Sequence, residues 1–434
     1  PWPQIRTPRR SSGQSVLNAA KGVCSLIEWS DPIRRAGIGC TMADLLNPLA
    51  ADAAAAGLIT PTPDTLSALL RQWSGPKPLL VCGGGTTTRC AAPGHWTLDM
   101  RPCFDALELG EQGAIRIGAG CRMSSVLDHL ATRGRTVGAG LSSLPGMGFV
   151  LTGGIGPLSR NHGLAIDQLT RIEGVWGSGE PFNLSPSVDG RWRGLGGAAP
   201  FLAVVTHVTL ATWPLADLWI RQDTIAASDL PVWIAEAEAW PENRSLQWAW
   251  RNNASIDLLQ VSEAPFQGSQ AIQGLHQLPP LGGQPANGSR IHSEVLGLLG
   301  PAAAPRWREV LPQLMALMVE RPHPSCSLAG QQLGGQTGRV PWQASAFIHR
   351  DAVWKPWITA AWAAGDADQR QRSLDWLEKV WTLLSPICPG VHLAQLHEHL
   401  SWHKTVLQQA FGTYLPELRA LKQELDPAGN LPAL

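Results

Sequence analysis

With 434 residues the chain is long enough for two or three domains with their own cores, and 44% hydrophobic against 16% charged residues is the balance of a folded protein, which excludes fibrous and disordered classes. Its 34 basic residues match 34 acidic ones, so no whole-chain electrostatic footprint for nucleic acid exists, and the expected partner is a small molecule. The eight cysteines are scattered without a C-x-x-C pair and no apolar run reaches the length of a membrane span, so the expectation is a cytoplasmic protein that neither spans nor binds a membrane.

Residues 1–57 read as a basic, mobile extension carrying Arg6, Arg9 and Arg10, with a sequence from Met42 that resembles a natural start. An organelle-targeting peptide is the competing reading, and Glu28 and Asp31 count against it. Thr62 and Pro63 then open an amphipathic helix with apolar residues at Leu66, Leu69, Leu70 and Trp73. KPLLVCGGG reads as a buried strand running into a glycine turn, and WTLDM as another strand. Leu107, Leu109, Ile115 and Ile117 alternate around a turn at Gly110 to Gly113, which predicts a hairpin, and a helix over 124–133 stops at Gly134.

GMGFVLTGGIGPLSRNHGLAIDQLTRIE, residues 146–173, sets glycines inside an apolar run. Either tight turns between packed elements or close approach of backbone to something flat or anionic would explain them. FLAVVTHVTLATWP, 201–214, is a strand closed by Pro214, after which tryptophan and glutamine become frequent. Strand-like pieces (DLWIRQDTI, SLQWAW, IDLLQV), a Pro/Gly/Gln-rich linker over 277–288 and helix-like pieces (RWREVLPQLMALMVE, SLDWLEKVWTLL) predict an inserted α+β unit over 215–385. The last helix, in PELRALKQELDP, stops at Asp426 and Pro427.

Several pieces fall in one order: a strand with GGGTTT, a hairpin ending in GAG, SLPGMGFVLTGGIGPLSRNHGL, a closing AVVTHVTL strand and a terminal LRALKQELDPAGNL. In this order the chain resembles the berberine bridge enzyme-like branch of the FAD-linked oxidases, within the vanillyl-alcohol oxidase and para-cresol methylhydroxylase (PCMH) superfamily, over 59–214 and 346–434. The resemblance implies an α+β fold. A two-lobed PCMH-type FAD-binding domain, 58–214 with a returning segment 386–434, would be interrupted by a substrate domain with an antiparallel sheet. The residues suit this cofactor: a diphosphate needs several N–H donors at close range, which Gly83, Gly84 and Gly85 supply after a strand, with hydroxyls from Thr86 and Thr87. Pro145, Gly146, Gly153 and Gly154 would complete the cradle. His162, Gly163, Leu164 and Asp167 match the family's (H/Y)-G-L-x-x-D element beside the flavin, and Val204 of the closing strand joins the expected contacts.

The departures shape the expectation. Where many relatives anchor FAD covalently through a histidine and a cysteine, this chain has Thr86 and, near Leu141, a segment 137–147 without cysteine, so FAD should be held non-covalently. GLGGAAPFLAVVT replaces the relatives' R-G-G-G-x-N-F-G-V-V-T, with Arg193 offset. The relatives' active-site Y-x-N becomes His392 and Ala394, in a chain whose single tyrosine is Tyr414. His392 is therefore the candidate catalytic base, an imidazole able to take a substrate proton while hydride leaves to the flavin; the alternative is that it only fills a packed site.

The expected function is an FAD-dependent oxidase or dehydrogenase acting on a small organic substrate, alcohol or aromatic, with oxygen or another acceptor reoxidising the flavin and no metal. One alternative is a catalytically degenerate member of the fold serving in binding or assembly. A more distant one is a metal-dependent hydrolase, because His392, His397, His399 and His403 cluster, with His399 and His403 spaced i, i+4 as on a zinc-binding helix.

Overall fold

In a computed structural model, residues 37–39 and 56–434 are described, except 88, 89, 91, 139, 142, 143, 188, 253, 282–290 and 302. Most of the expected extension, and most of the linker over 277–288, lie outside these residues. Within the stretch expected to be a tail, Gly37–Gly39 forms a strand antiparallel to Gly57–Thr60.

Four sheets carry the described chain, the smallest of them the antiparallel pair Arg135–Thr136 and Trp213–Pro214. The first has the order Gly37–Gly39, Gly57–Thr60, Trp96–Asp99, Leu80–Cys82, with Trp96–Asp99 parallel to both neighbours. Parallel strands need a crossover, and the helix Pro63–Arg71 supplies it, opened by a reciprocal Thr62/Thr65 capping box with Pro63 at its first turn. Leu66, Leu69 and Leu70 bury its inner face against Trp73, Trp96 and Leu98. The second sheet is antiparallel, ordered Leu107–Leu109, Ala114–Gly118, Ala203–Ala211, Leu169–Trp176, Pro181–Leu184. The expected hairpin and closing strand are both in it, and the helix expected over 124–133 spans Met123–Ala131.

The third sheet has eight antiparallel strands: Gln270–Ile272, Leu218–Ala226, Ser255–Ser262, Arg244–Trp250, Ser327–Gln332, Trp354–Ala363, Ile291–Leu299 and Gly390–His392. Ala304–Val319 and Ala367–Leu384 pack on it through residues such as Trp307, Leu314, Trp376 and Leu377. The short Gly390–His392 strand therefore extends this sheet. The final helix, Leu415–Leu425, packs instead on Gly190–Leu202, and Asn430 reaches back to the carbonyls of Leu70 and Gly177. Lys422 and Asp426 pin the same end, with Asp426 accepting the backbone N–H groups of Asn430 and Leu431.

Candidate active site

A cleft of about 270 Å³ opens between the first sheet, the Pro145–Thr152 segment and the edge of the eight-stranded sheet. Gly83, Gly84, Gly85, Thr86, Thr87, Pro145 and Gly146 all line it, together with apolar residues such as Leu80, Val81, Phe149, Pro200, Leu393, Leu396 and Pro432. The glycines are fixed by packing before any ligand is considered. A Cβ on Gly83 would stand 2.8 Å from the carbonyl oxygen of Ala119, and one on Gly84 2.8 Å from the Gly146 nitrogen. Gly85 has φ +70°, a conformation side chains resist. Arg122 ties the two loops together by donating Nε–H to the Gly84 carbonyl at 2.8 Å. Backbone and hydroxyl donors together with apolar surface in one cleft suit a molecule with a diphosphate and a flat ring.

The other expected residues lie outside this cleft. Gly153 (φ +144°) and Gly154 (φ +67°) turn the chain after the short Met147–Leu151 helix, with Gly154 against Ala165 and Gly153 against His392 and Phe347. His162 is half-buried, bonded to Glu263 at 2.6 Å and stacked on Trp213 at 4.5 Å. Asp167 caps the turn by accepting from the Leu164 N–H at 2.9 Å and pairs with the buried Arg350 at 2.9 Å. Gly163 takes φ +81° beside the Asp167 carboxylate, and Leu164 and Val204 are core residues. These contacts hold the segment's fold.

The Gly190–Leu202 helix is interrupted at Gly196–Ala198, with Gly197 at φ +127°. Gly197 abuts the Phe347 nitrogen, and the Ala346 N–H donates to the Gly196 carbonyl at 2.6 Å. From this segment Pro200 reaches the cleft.

His392 is 1% exposed, on the edge strand just before the cleft residues Leu393 and Ala394. The edges of Phe149 and Phe347 meet it at 6.0 Å each, and Gly153 leaves room for its Nε2, which a Cβ there would approach to 3.1 Å. Neither ring nitrogen has a partner of good hydrogen-bond geometry among the described residues. Burial first, then the neighbouring Lys355 charge, hold its pKa well below the usual histidine value, with only the Thr152 backbone opposing. The imidazole is therefore held neutral, and the same burial and charge make it a weak proton acceptor while Lys355 is charged.

Sequence reasoning missed Lys355. It lies in the Trp354–Ala363 strand, bonded to Gln331 Oε1 at 3.1 Å, with Nζ 4.8 Å from the Trp357 ring and 6.0 Å from that of Phe149. Burial brings its pKa down to about 7. Gln247, Gln331 and Lys355 stand side by side across three strands, and Gln247 Oε1 and Gln331 Nε2 have no hydrogen-bond partner among the described residues. The only signal in the sequence was a single lysine in a Trp-rich strand.

The histidine cluster is arranged differently from the zinc-helix expectation. His399 sits in a turn and the helix begins at His403, so the two do not share a helical face. His397 and His399 instead bond the two oxygens of Glu294, at 2.8 and 3.0 Å. Among the described residues no group of three or more His, Cys, Asp or Glu side chains could hold a metal ion, and no helix is long and apolar enough to cross a membrane.

Residues 35–185 match the family described as FAD binding domain. Over 347 residues the chain is 23% identical to the uncharacterized FAD-linked oxidoreductase YgaK of Bacillus subtilis, covering 72% of this chain and 74% of that one. Among solved structures, the berberine bridge enzyme of Eschscholzia californica superposes with a TM-score of 0.73 at 15% identity, over 96% of this chain and 98% of its own. A chitooligosaccharide oxidase superposes with 0.75 at 16% identity, over the same shares. At such identities the structural likeness establishes the fold.

Proposed function

We propose that the chain, which belongs to the FAD-linked oxidoreductases with the berberine bridge enzyme-like fold, oxidises a small organic substrate at non-covalently held FAD, with His392 as base. The observation that carries this reading is the adjacency of the glycine-walled cleft to a buried, neutral imidazole that has no side-chain hydrogen-bond partner among the described residues. Gly83, Gly84, Gly85, Thr86, Thr87, Pro145 and Gly146 would hold the cofactor, their backbone and hydroxyl donors toward its diphosphate. When bound, FAD supplies an acceptor for two electrons as hydride. His392 takes the proton from a substrate hydroxyl or other acidic group, and its two phenylalanine neighbours keep water away. Lys355, its pKa brought down to about 7 by burial, opposes a proton on His392 only while charged, so the imidazole is the stronger base when Lys355 is neutral.

Threonine at position 86 supports non-covalent attachment, since a hydroxyl there offers no flavin-linking imidazole. Cys90 also lines the cleft, but its thiol is engaged by Cys82. His162 to Asp167 shape the cradle indirectly, through the Arg350 and Glu263 contacts. We assign 58–214 and 386–434 to the cofactor-binding part and 215–385 to the substrate part, with the edge strand Gly390–His392 joining them. The free cysteines fit a reducing cytoplasm.

A second reading, a member of the fold retained for binding or assembly, is favoured by the packing of Gly196 and Gly197 onto Ala346 and Phe347. Anaerobic addition of alcohols, amines and phenols separates the two. Bleaching of the flavin by any of them supports oxidation, whereas a flavin that binds and is never bleached favours the second reading.

A further inference from the structure

Glu294 is 0% exposed on the Ile291–Leu299 strand. Burial alone would raise its pKa, yet hydrogen bonds from His397 and His399 and their charges bring it down to about 2, so the carboxylate is ionised. A charge this deep is seldom a gain in stability over an apolar residue. Its position is the informative feature. Both histidines belong to the loop that follows His392, and the first four residues of that loop, Leu393 to Leu396, form one wall of the cleft. The next residue on the strand, Val295, also lines the cleft and donates its N–H to Gln395 Oε1 at 3.1 Å.

Leu393 and Trp402 bury the two ends of the loop in the core, with Leu396 and Leu400 packed against it. The loop's backbone hydrogen bonds are local: Ala394 to the His392 carbonyl, Leu400 to His397 and His403 to Leu400. Three side chains, Gln395, His397 and His399, join it to the strand. Trp402 packs on the His397 ring at 4.9 Å. The other ionisable groups around the cluster are Glu398 and His403 on the loop side and, across the outer cleft that His399 lines, His95, His292, Asp366 and Arg370.

We propose that Glu294 is a positioning residue, fastening the 393–396 wall against the cofactor through His397 and His399. The proposal rests on the reading of the cleft as the FAD site. Glu294 touches neither the cleft nor His392 and acts only by where it holds the loop.

The test compares Glu294→Ala, Glu294→Gln and the unchanged chain by hydrogen exchange of residues 393–402 and by FAD titration followed through visible circular dichroism. Without the carboxylate the imidazoles lose their charge partner, and the amide of Glu294→Gln can accept from one and donate to the other in its neutral form, so it should keep the loop protected and FAD affinity near the original. Glu294→Ala should lose protection at 393–402 and bind FAD about tenfold more weakly. Unchanged protection in Glu294→Ala, or a Glu294→Gln chain as exposed at 393–402 as Glu294→Ala, overturns the proposal. Should Glu294→Ala not fold, His397→Gln and His399→Gln take its place, with the same loss of loop protection expected and unchanged protection again decisive against. If the unchanged chain takes up no FAD, the reading of the cleft fails, while hydrogen exchange still decides whether Glu294 fastens the loop.

Discussion

Gly84 and Gly146 stand backbone against backbone: a Cβ on Gly84 would lie 2.8 Å from the Gly146 nitrogen, and one on Gly146 2.6 Å from the Gly84 nitrogen. Each glycine thus exists for the other loop as much as for a ligand. Gly146→Ala should push the two loops apart, cost about 1–3 kcal/mol of stability and weaken FAD binding. Urea unfolding and FAD titration of the variant check both effects.

Lys355 links pH to stability. An unfolded lysine keeps its proton to about pH 10.4, whereas burial lowers the folded value to about 7. Between these values the unfolded chain binds more protons, so stability rises with pH across this window. Unfolding at pH 9 should require about 2 kcal/mol more than at pH 7, and Lys355→Met should abolish the difference.

His392→Ala should leave FAD binding intact, because the imidazole is not among the residues lining the cleft and packs on Phe149, Phe347 and Gly153. Flavin reduction by substrate should slow about 100-fold or more. Stopped-flow reduction at fixed substrate measures this, and an unchanged rate would remove His392 from the chemistry.

Asp167 serves packing through Arg350, whose side chain is 5% exposed. Removing one partner of a buried pair leaves the other uncompensated, so Asp167→Ala should destabilise the chain by about 3 kcal/mol. The loss should appear in urea unfolding before any change in the flavin spectrum.

The parts legible in sequence were those fixed by local backbone rules. Thr62 and Pro63 announced their helix, and Gly83 to Gly85 marked a turn where side chains cannot go. His392 could be proposed from its place in a family order, but its burial could not. The Glu294 cluster joins residues about a hundred positions apart, and neither periodicity nor spacing reports such a contact. The i, i+4 spacing of His399 and His403, the ground for the distant metal alternative, implies a shared face only inside a helix, and the helix starts at His403. The glycines at 196 and 197 invited comparison with a flavin loop, whereas they give the Ala346–Phe347 backbone room to approach.

The most direct test of the central claim is the visible spectrum of the purified chain, followed by acid precipitation. The account predicts a yellow protein with flavin absorbance whose FAD passes wholly into the acid supernatant. A colourless protein that takes up no added FAD would contradict the site itself, and flavin remaining in the pellet would contradict its non-covalent attachment.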